Sequence, residues 1–325
     1  MVRVSVRAAL AAFLPFSIGL GWQLNSDSPV TIVPIAKRVA QPEIAAPTAI
    51  HVSSSLVLIP TLVTTAIGNL VTDLRKDDFK LFEDNIEQRI TQFAIDDAPI
   101  SIGLLFDTSG SMHDKMRKAC EAAAAFFKTA NVEDEFFLVE FGDRPKLAVP
   151  FTINSADVYH RITGLRPFGR TSLLDAIHLA LGQMKRATNT RKALVIVSDG
   201  GDNCSRRSAG QIKSELVESE AQLYSMGIFD LGNSGKRPSE EKNGPQLLDA
   251  LAAQSGGRSY PINTLDELPG ISERISRSLR TEYILGYSPS GAANDGKYHR
   301  VRVTLATPES QLHISFRQGY YAPAQ

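Results

Sequence analysis

The stretch that decides the fold runs Ile100-Ser-Ile-Gly-Leu-Leu-Phe-Asp-Thr-Ser-Gly-Ser-Met112. Its first seven residues are apolar or small, which predicts a buried strand. Asp107, Ser109 and Ser111 follow at alternate positions, just where this strand is expected to stop. Because Gly110 relaxes the backbone between the two serines, one carboxylate and two hydroxyls can converge on a single point.

Strands and helices alternate along the chain after this stretch. The sequence predicts strands at 100–106, 136–141, 147–151, 193–197, 222–229 and 258–262, and helices at 116–128, 156–162, 173–184, 209–219, 246–254 and 268–279. The run Ala193-Leu-Val-Ile-Val197 is apolar throughout, which is typical of a central parallel strand covered on both faces. This alternation predicts a doubly wound, mostly parallel α/β domain over residues 99–281.

The segments on either side of this domain have the composition of strands. Strands are predicted at 51–67, 79–83 and 88–95 before it, and at 283–287, 299–305 and 311–316 after it. Since the termini of domains tend to lie close together, the N-terminal β-segment (50–98) and the C-terminal β-segment (282–325) are expected to pack together as one small β-module. Two unrelated flanking hairpins are the alternative.

The N-terminus has the pattern of an export signal. Arg3 and Arg7 precede an apolar run over residues 8–20, which is too short to span about 30 Å of hydrocarbon comfortably. We assign residues 1–24 to a signal peptide and residues 25–49 to a linker, which places the protein outside the cell or in its envelope. No Ala-x-Ala cleavage site follows, so an uncleaved anchor is the alternative and would be the protein's only membrane contact. Pro15 argues against a buried N-terminal helix.

Composition excludes several function classes. The chain has 325 residues, and its 35 Lys and Arg balance 35 Asp and Glu, which argues against a nucleic-acid-binding protein. The two cysteines are too few for a cysteine-based zinc site, and Cys120 and Cys204 are either free thiols or a single pair. His113 follows the serine motif closely enough to act as a base, but a solvated first-turn histidine is the more common role.

Two further loops are expected beside Asp107, Ser109 and Ser111. Gly169-Arg-Thr171 precedes a predicted helix, and Val197-Ser-Asp199 ends the most apolar strand. In an open α/β sheet, ligands bind beyond the carboxyl ends of the strands. Carboxylate and hydroxyl oxygens suit Mg²⁺, Mn²⁺ or Ca²⁺. For the serine motif taken alone, simple helix capping is the alternative.

The three loops, in this order of elements, resemble the von Willebrand factor type A domain over about residues 99–280. The resemblance implies the sheet order 3-2-1-4-5-6 with an antiparallel third strand. It also implies a metal-ion-dependent adhesion site. Ser109, Ser111 and Thr171 would bind the metal directly, Asp107 and Asp199 directly or through water, and a partner's carboxylate would take the remaining position. Arg170 stands where many such domains have a second glycine; a cation so near the metal could either weaken its binding or contact the acidic partner.

The flanks carry a narrower resemblance. Asp78-Phe-Lys-Leu-Phe-Glu-Asp84, Asp97-Ala-Pro99 and Gly319-Tyr-Tyr-Ala322 are similar to segments of exported von Willebrand factor A-related proteins of the Acidobacterial type. That resemblance implies no known activity. The leading hypothesis is therefore an exported, non-catalytic module that uses a divalent cation to bind an acidic group of a protein partner. The alternatives are a metal-assisted hydrolase and a metal-free structural scaffold.

Overall fold

The computed structural model describes residues 56–228, 243–262, 264–290, 295–306 and 311–324. The predicted signal (1–24), the linker (25–49) and the start of the first β-segment lie outside the described residues. Within the described ranges, no helix is long and apolar enough to cross a membrane.

The elements follow the predicted alternation. The strands are β1 (Val57–Thr65), β2 (Phe79–Glu83), β3 (Ile86–Gln88), β4 (Gln92–Asp96), β5 (Ile100–Asp107), β6 (Glu135–Phe141), β7 (Pro145–Thr152), β8 (Arg191–Ser198), β9 (Gln222–Ile228), β10 (Ser259–Ile262), β11 (Glu282–Tyr287), β12 (Tyr298–Leu305), β13 (Leu312–Phe316) and β14 (Gly319–Tyr321). The helices are α1 (Met116–Phe127), α2 (Ser155–Thr163), α3 (Leu173–Met184), α4 (Ala209–Ser219), α5 (Gly244–Ser255) and α6 (Leu268–Ser278).

Six strands form a central sheet in the order β10-β9-β8-β5-β6-β7. Every neighbouring pair is parallel except β6 and β7. Counted along the chain from β5, this order is 3-2-1-4-5-6 with an antiparallel third strand. The predicted fold class, a doubly wound α/β domain with additional flanking β-structure, is confirmed.

The two faces of the central sheet are buried by different helices. Leu104 and Phe106 point into a core shared with α1 and α6, whereas Leu105 points into a core shared with α3, α4 and α5. Gly103 is required in β5, because a Cβ there would lie 2.3 Å from the Phe137 ring. Burial of both faces explains the unbroken apolar runs in the sequence, since each face of a parallel sheet is covered by helices.

The flanking segments pair with each other in two antiparallel sheets. One sheet has the order β13-β1-β11-β4 and the other has the order β14-β12-β2-β3, so strands from both ends of the chain occur in each. Their shared core includes Ile59, Leu81 and Tyr283. Glu83 is buried there and accepts hydrogen bonds from the hydroxyls of Tyr287 (2.5 Å) and Tyr320 (2.9 Å).

The strands in the flanks differ most from the prediction at two points. The stretch 88–95 was predicted as one strand, but β3 ends at Gln88 and β4 begins at Gln92, and the two lie in different sheets. Ile90 lies between β3 and β4 and is buried, so the hydrophobic pattern of the sequence continues across the break between the two strands. The three-residue strand β14 was not predicted, because so short a segment shows no period and is defined by its pairing with β12.

Candidate metal centre

The loops that carry Asp107 and Asp199 lie side by side at the carboxyl edge of the central sheet. Strands β5 and β8 are parallel neighbours, with Phe106 opposite Val197. Asp107 therefore ends its strand beside Ser198, whose hydroxyl donates to Asp107 Oδ2 at 2.5 Å. Asp199 follows directly and is also buried. Strand order thus brings together two carboxylates that are far apart in the sequence.

The serine motif wraps around the Asp107 carboxylate. The Ser109 amide donates to Asp107 Oδ1 at 2.8 Å, and the Ser109 and Ser111 hydroxyl oxygens are 3.0 Å apart. Ser109 is buried while Ser111 is exposed, so the motif leads from the protein interior to its surface. Asp107 itself is fully buried.

The third loop, which carries Thr171, is hydrogen-bonded to the other two. The Gly110 amide donates to the Gly169 carbonyl at 3.0 Å, and the Thr171 amide donates to the Asn203 side chain at 2.9 Å. Gly169 has a φ of +83°, and a Cβ there would lie 2.7 Å from the Asp143 carboxylate, so glycine is required. The structure therefore brings together the three loops that carry the five predicted site residues, Asp107, Ser109, Ser111, Thr171 and Asp199.

The electrostatics of the cluster suit a cation. Burial, followed by repulsion from the charge of Asp199, raises the pKa of Asp107 to about 7 despite hydrogen bonds from Ser109 and Ser198. Asp199 Oδ1 is buried and has no hydrogen-bond partner among the described residues. An unpartnered buried carboxylate oxygen is costly, and a hard divalent cation bound by oxygen ligands would satisfy it. The residues present thus fit the metal that the resemblance implies.

Sequence reasoning missed a cation that reaches the cluster. The Lys115 ammonium lies 3.0 Å from Asp199 Oδ2, and its side chain is only 18 % exposed. Lys115 ends the short 3₁₀ turn Gly110–Lys115 that leads from the serine motif into α1. Its position eight residues after Asp107, at the start of a helix packed on the sheet, is the signal that could have revealed it.

Arg170, the cation that the sequence analysis identified, is bonded to other groups than Lys115 is. Its guanidinium donates to the Asn203 carbonyl, and its amide donates to Asp143 Oδ1 at 2.7 Å. The side chain is exposed beside Thr171. Next to it, Phe168 is 78 % exposed, which sequence analysis did not predict. An exposed aromatic ring and an exposed cation therefore lie on the loop that supplies Thr171.

The remaining reactive side chains do not extend the cluster. Among the described residues, no group of three or more His, Cys, Asp and Glu side chains could hold a metal. The candidate centre does not belong to that class of site, since it has two carboxylates and otherwise hydroxyls. His113 is largely exposed and contacts Asp114 at 3.1 Å. Cys120 and Cys204 are both free thiols, and burial raises the pKa of each.

Several solved structures are similar to this chain. BatB from Bacteroides thetaiotaomicron has 15 % identity and a TM-score of 0.44, with 56 % of this chain and 100 % of that chain covered. A von Willebrand factor type A protein from Catenulispora acidiphila has 12 % identity and a TM-score of 0.48, with 84 % and 74 % covered. The PilB minor pilin from Streptococcus sanguinis has 14 % identity and a TM-score of 0.42, with 57 % and 62 % covered.

No curated protein sequence matches the chain. A family profile matches part of it, from β5 to the loop that follows β8. The matched segment contains Asp107, Ser109, Ser111, Thr171 and Asp199. That profile describes the von Willebrand factor type A domain, and it matches residues 102–201.

Proposed function

We propose that this protein is an exported binding module that holds an acidic group of a protein partner through a divalent cation, Mg²⁺ or else Mn²⁺ or Ca²⁺. The observation that carries the proposal is the unpartnered, buried Asp199 Oδ1 at the point where three loops meet. Export rests on the signal-like sequence of residues 1–24 alone.

The chain's own residues divide the work of holding the cation. Ser109, Ser111 and Thr171 would offer neutral hydroxyl oxygens. Both oxygens of Asp107 already accept hydrogen bonds, from the Ser109 amide and the Ser198 hydroxyl, which favours a role through water. Asp199 has one oxygen bonded to Lys115 and the other free, which favours direct binding by Oδ1.

Charge balance favours an acidic partner. Asp107 and Asp199, when ionised, contribute two negative charges, and the Lys115 ammonium offsets one of them. With a divalent ion added, the site would carry one net positive charge, so an incoming carboxylate would be attracted. When bound, the cation supplies an electrophilic centre whose remaining coordination position a partner's Asp or Glu can take.

The surface around the site offers further contacts. Phe168 is largely exposed, and Arg170 is exposed on the same loop as Thr171. Aromatic residues, including phenylalanine, and arginine are enriched in protein interfaces relative to the rest of the surface. We propose that Phe168 packs against the partner while Arg170 attracts its acidic group, an attraction that salt would screen.

A metal-free scaffold is the second candidate, and a specific observation favours it. The three loops are already joined by hydrogen bonds, and Lys115 neutralises Asp199. These contacts hold the loops together without any ion. A hydrolase is a weaker candidate, because it needs a positioned general base and His113 is exposed and bonded to Asp114.

Titration of Mg²⁺, Mn²⁺ and Ca²⁺ into the purified full-length protein tests the proposal. We expect calorimetric binding of at least one ion, with affinity weakened about tenfold or more in Thr171→Ala, since an oxygen ligand is lost. Thr163→Ala, which removes an exposed hydroxyl at the end of α2, is the matched control and should bind as the parent does. Equal binding by the parent and Thr171→Ala would support the scaffold.

Dependence of partner binding on the ion is tested separately. The purified protein is used to capture its partner from envelope extract. The partner should be recovered in the presence of Mg²⁺, but not when chelator is added or when the Thr171→Ala variant is used. Phe168→Ala should weaken capture without changing cation affinity, because the ring lies at the rim of the site. A partner recovered equally in every condition would mean that recognition bypasses the cation.

A further inference from the structure

A cavity of about 410 Å³ lies at the opposite edge of the central sheet from the candidate metal centre. Lys192, near the start of β8, lines it, whereas Asp199 follows the end of the same strand. At about 3.3 Å per residue, the two positions are roughly 23 Å apart. The cavity volume is within the usual range for small-molecule sites, about 300–1,000 Å³.

One wall of the cavity is apolar and belongs to the outer face of the sheet β13-β1-β11-β4. Leu58 and Pro60 alternate with the core residues Val57 and Ile59, so they point away from the β-module core. The strand register places Pro60 opposite Ile284, which lines the same wall. Leu58 is 44 % exposed, so this wall presents apolar surface to the cavity.

A guanidinium lines the cavity beside this apolar wall. The Arg317 side chain is 8 % exposed and donates to Glu220 at 2.7 Å and to the Leu58 carbonyl at 3.4 Å. Its Nε is buried and has no hydrogen-bond partner among the described residues. Arg317 lines the cavity, and each terminal nitrogen of a guanidinium carries two N–H groups, so one of these can still donate to an acceptor there.

The carboxylates of the cavity are already bound to other groups. Glu282 is fully buried and accepts from Arg191 (3.0 Å), Gln222 (2.8 Å) and Tyr224 (3.3 Å). Glu220 is paired with Arg317.

Lys192, which also lines the cavity, forms no ion pair within the described ranges. The Lys192 ammonium therefore places an unpaired positive charge beside an apolar wall. This combination matches a ligand that has an acid group at one end and hydrocarbon at the other.

We propose that this cavity binds a small amphipathic monocarboxylate. The acid group would accept hydrogen bonds from Lys192 and the Arg317 guanidinium, and the hydrocarbon body would lie against Leu58, Pro60 and Ile284. The hydrocarbon is either a medium-length acyl chain or an aromatic ring on a short linker. The site lies between the α/β domain and the β-module, and its occupation does not depend on the cation at the other edge of the sheet.

The test uses purified full-length protein, calorimetric titration and two probes, decanoate and 3-phenylpropionate. Binding of either probe supports the proposal and identifies the kind of hydrocarbon, whereas binding of neither overturns it. The neutral alcohol 1-decanol should bind at least about tenfold more weakly than decanoate if the charged wall takes part. Equal binding of the acid and the alcohol would contradict the assigned role of the cations.

Variants locate the binding site. Lys192→Gln should weaken the acid probe about tenfold, since a charge-assisted hydrogen bond is lost. Leu58→Asp should abolish binding, because it places a negative charge on the apolar wall. Lys80→Gln, an exposed lysine of β2, is the matched control for the lost charge. Thr171→Ala should bind the probe as the parent does, which separates this site from the metal centre. Unchanged binding in both Lys192→Gln and Leu58→Asp would overturn the proposal.

Discussion

The Lys115 ammonium and the Asp199 carboxylate form a largely buried ion pair at 3.0 Å, on the loops proposed to hold a divalent cation. The pair occupies Asp199 Oδ2 and leaves Oδ1 without a partner among the described residues. A lysine at this position stabilises the metal-free loops and also reduces the negative charge available to an incoming cation. Lys115 is therefore expected to set the cation affinity as well as the stability of the metal-free protein.

Replacing Lys115 with methionine tests this dual role. We expect Lys115→Met to bind Mg²⁺ or Mn²⁺ about tenfold more tightly, because a neighbouring positive charge is removed at a partly buried site. The thermal unfolding midpoint in chelator should fall, since Asp199 is left as an uncompensated buried charge.

Lys118→Met provides the control for Lys115→Met. Lys118 lies on α1 with a side chain of matching exposure, 19 %, but it pairs with Glu121 and Asp266 instead. Its replacement should leave cation affinity unchanged. Tighter binding in both variants would point to the overall charge of the protein instead of the Lys115–Asp199 pair.

Asp107→Asn should remove cation binding while keeping the fold. Asparagine has the shape of aspartate and retains one oxygen to accept from the Ser109 amide. The variant also removes the repulsion between two buried carboxylates, so its free energy of unfolding in chelator should equal or exceed that of the parent. Calorimetry and urea unfolding measure the two effects. Retained cation affinity would contradict the metal-centre proposal.

The two β-segments should fold only together. Residues 50–98 contribute β1, β2, β3 and β4, and β1, β2 and β4 pair with strands that follow the α/β domain. Expressed alone, this segment should show no cooperative unfolding in calorimetry, because its strands lack their neighbours. A cooperative transition would contradict this expectation.

The α/β domain should fold alone over residues 99–281. That segment contains all six strands of the central sheet and the six helices among the described residues. It should melt below the full-length protein, because Arg191 loses its buried partner Glu282. Circular dichroism of the separate segment, compared with the full chain, measures both results.

The β-module should lose stability as pH rises above about 6.5. Burial alone would lower the pKa of His299, but its hydrogen bonds to Asp84 (2.9 Å) and Asp295 (3.1 Å) prevail and the pKa is raised. Glu83 lies 4.0 Å away and Tyr320 stacks on the ring. Since the folded-state pKa exceeds the unfolded value, the stabilisation is complete below about pH 6.5 and is lost as pH rises through the folded-state pKa.

His299→Gln tests the assignment of this pH dependence. The thermal unfolding midpoint of the parent, followed from about pH 6 upward, should fall more steeply than that of the variant. His313→Gln, an exposed histidine of β13 in the same module, should behave as the parent does. Parallel pH profiles for the parent and His299→Gln would assign the dependence to other groups.

Local patterns in the sequence determined most of the elements of this protein. The helix Leu173–Met184 and the helix Ala209–Ser219 have the predicted bounds, since apolar spacing and capping residues act within a few turns. The loops around Asp107, Thr171 and Asp199 were likewise predicted, because each follows a strand or precedes a helix of clear periodicity. The stretch 88–95 was misassigned, because where a strand ends depends on its neighbours in the sheet.

Tertiary structure alone decided which side chains meet. Lys115 and Asp199 are 84 residues apart, and only the adjacency of β5 and β8 brings the start of α1 to the end of β8. The burial of Asp107 and the unused Nε of Arg317 likewise follow from packing across the sheet and between the two modules. Periodicity acts along the chain, whereas contacts between distant loops depend on strand order, so the sequence predicted the loops of the candidate metal centre but not the lysine that reaches them.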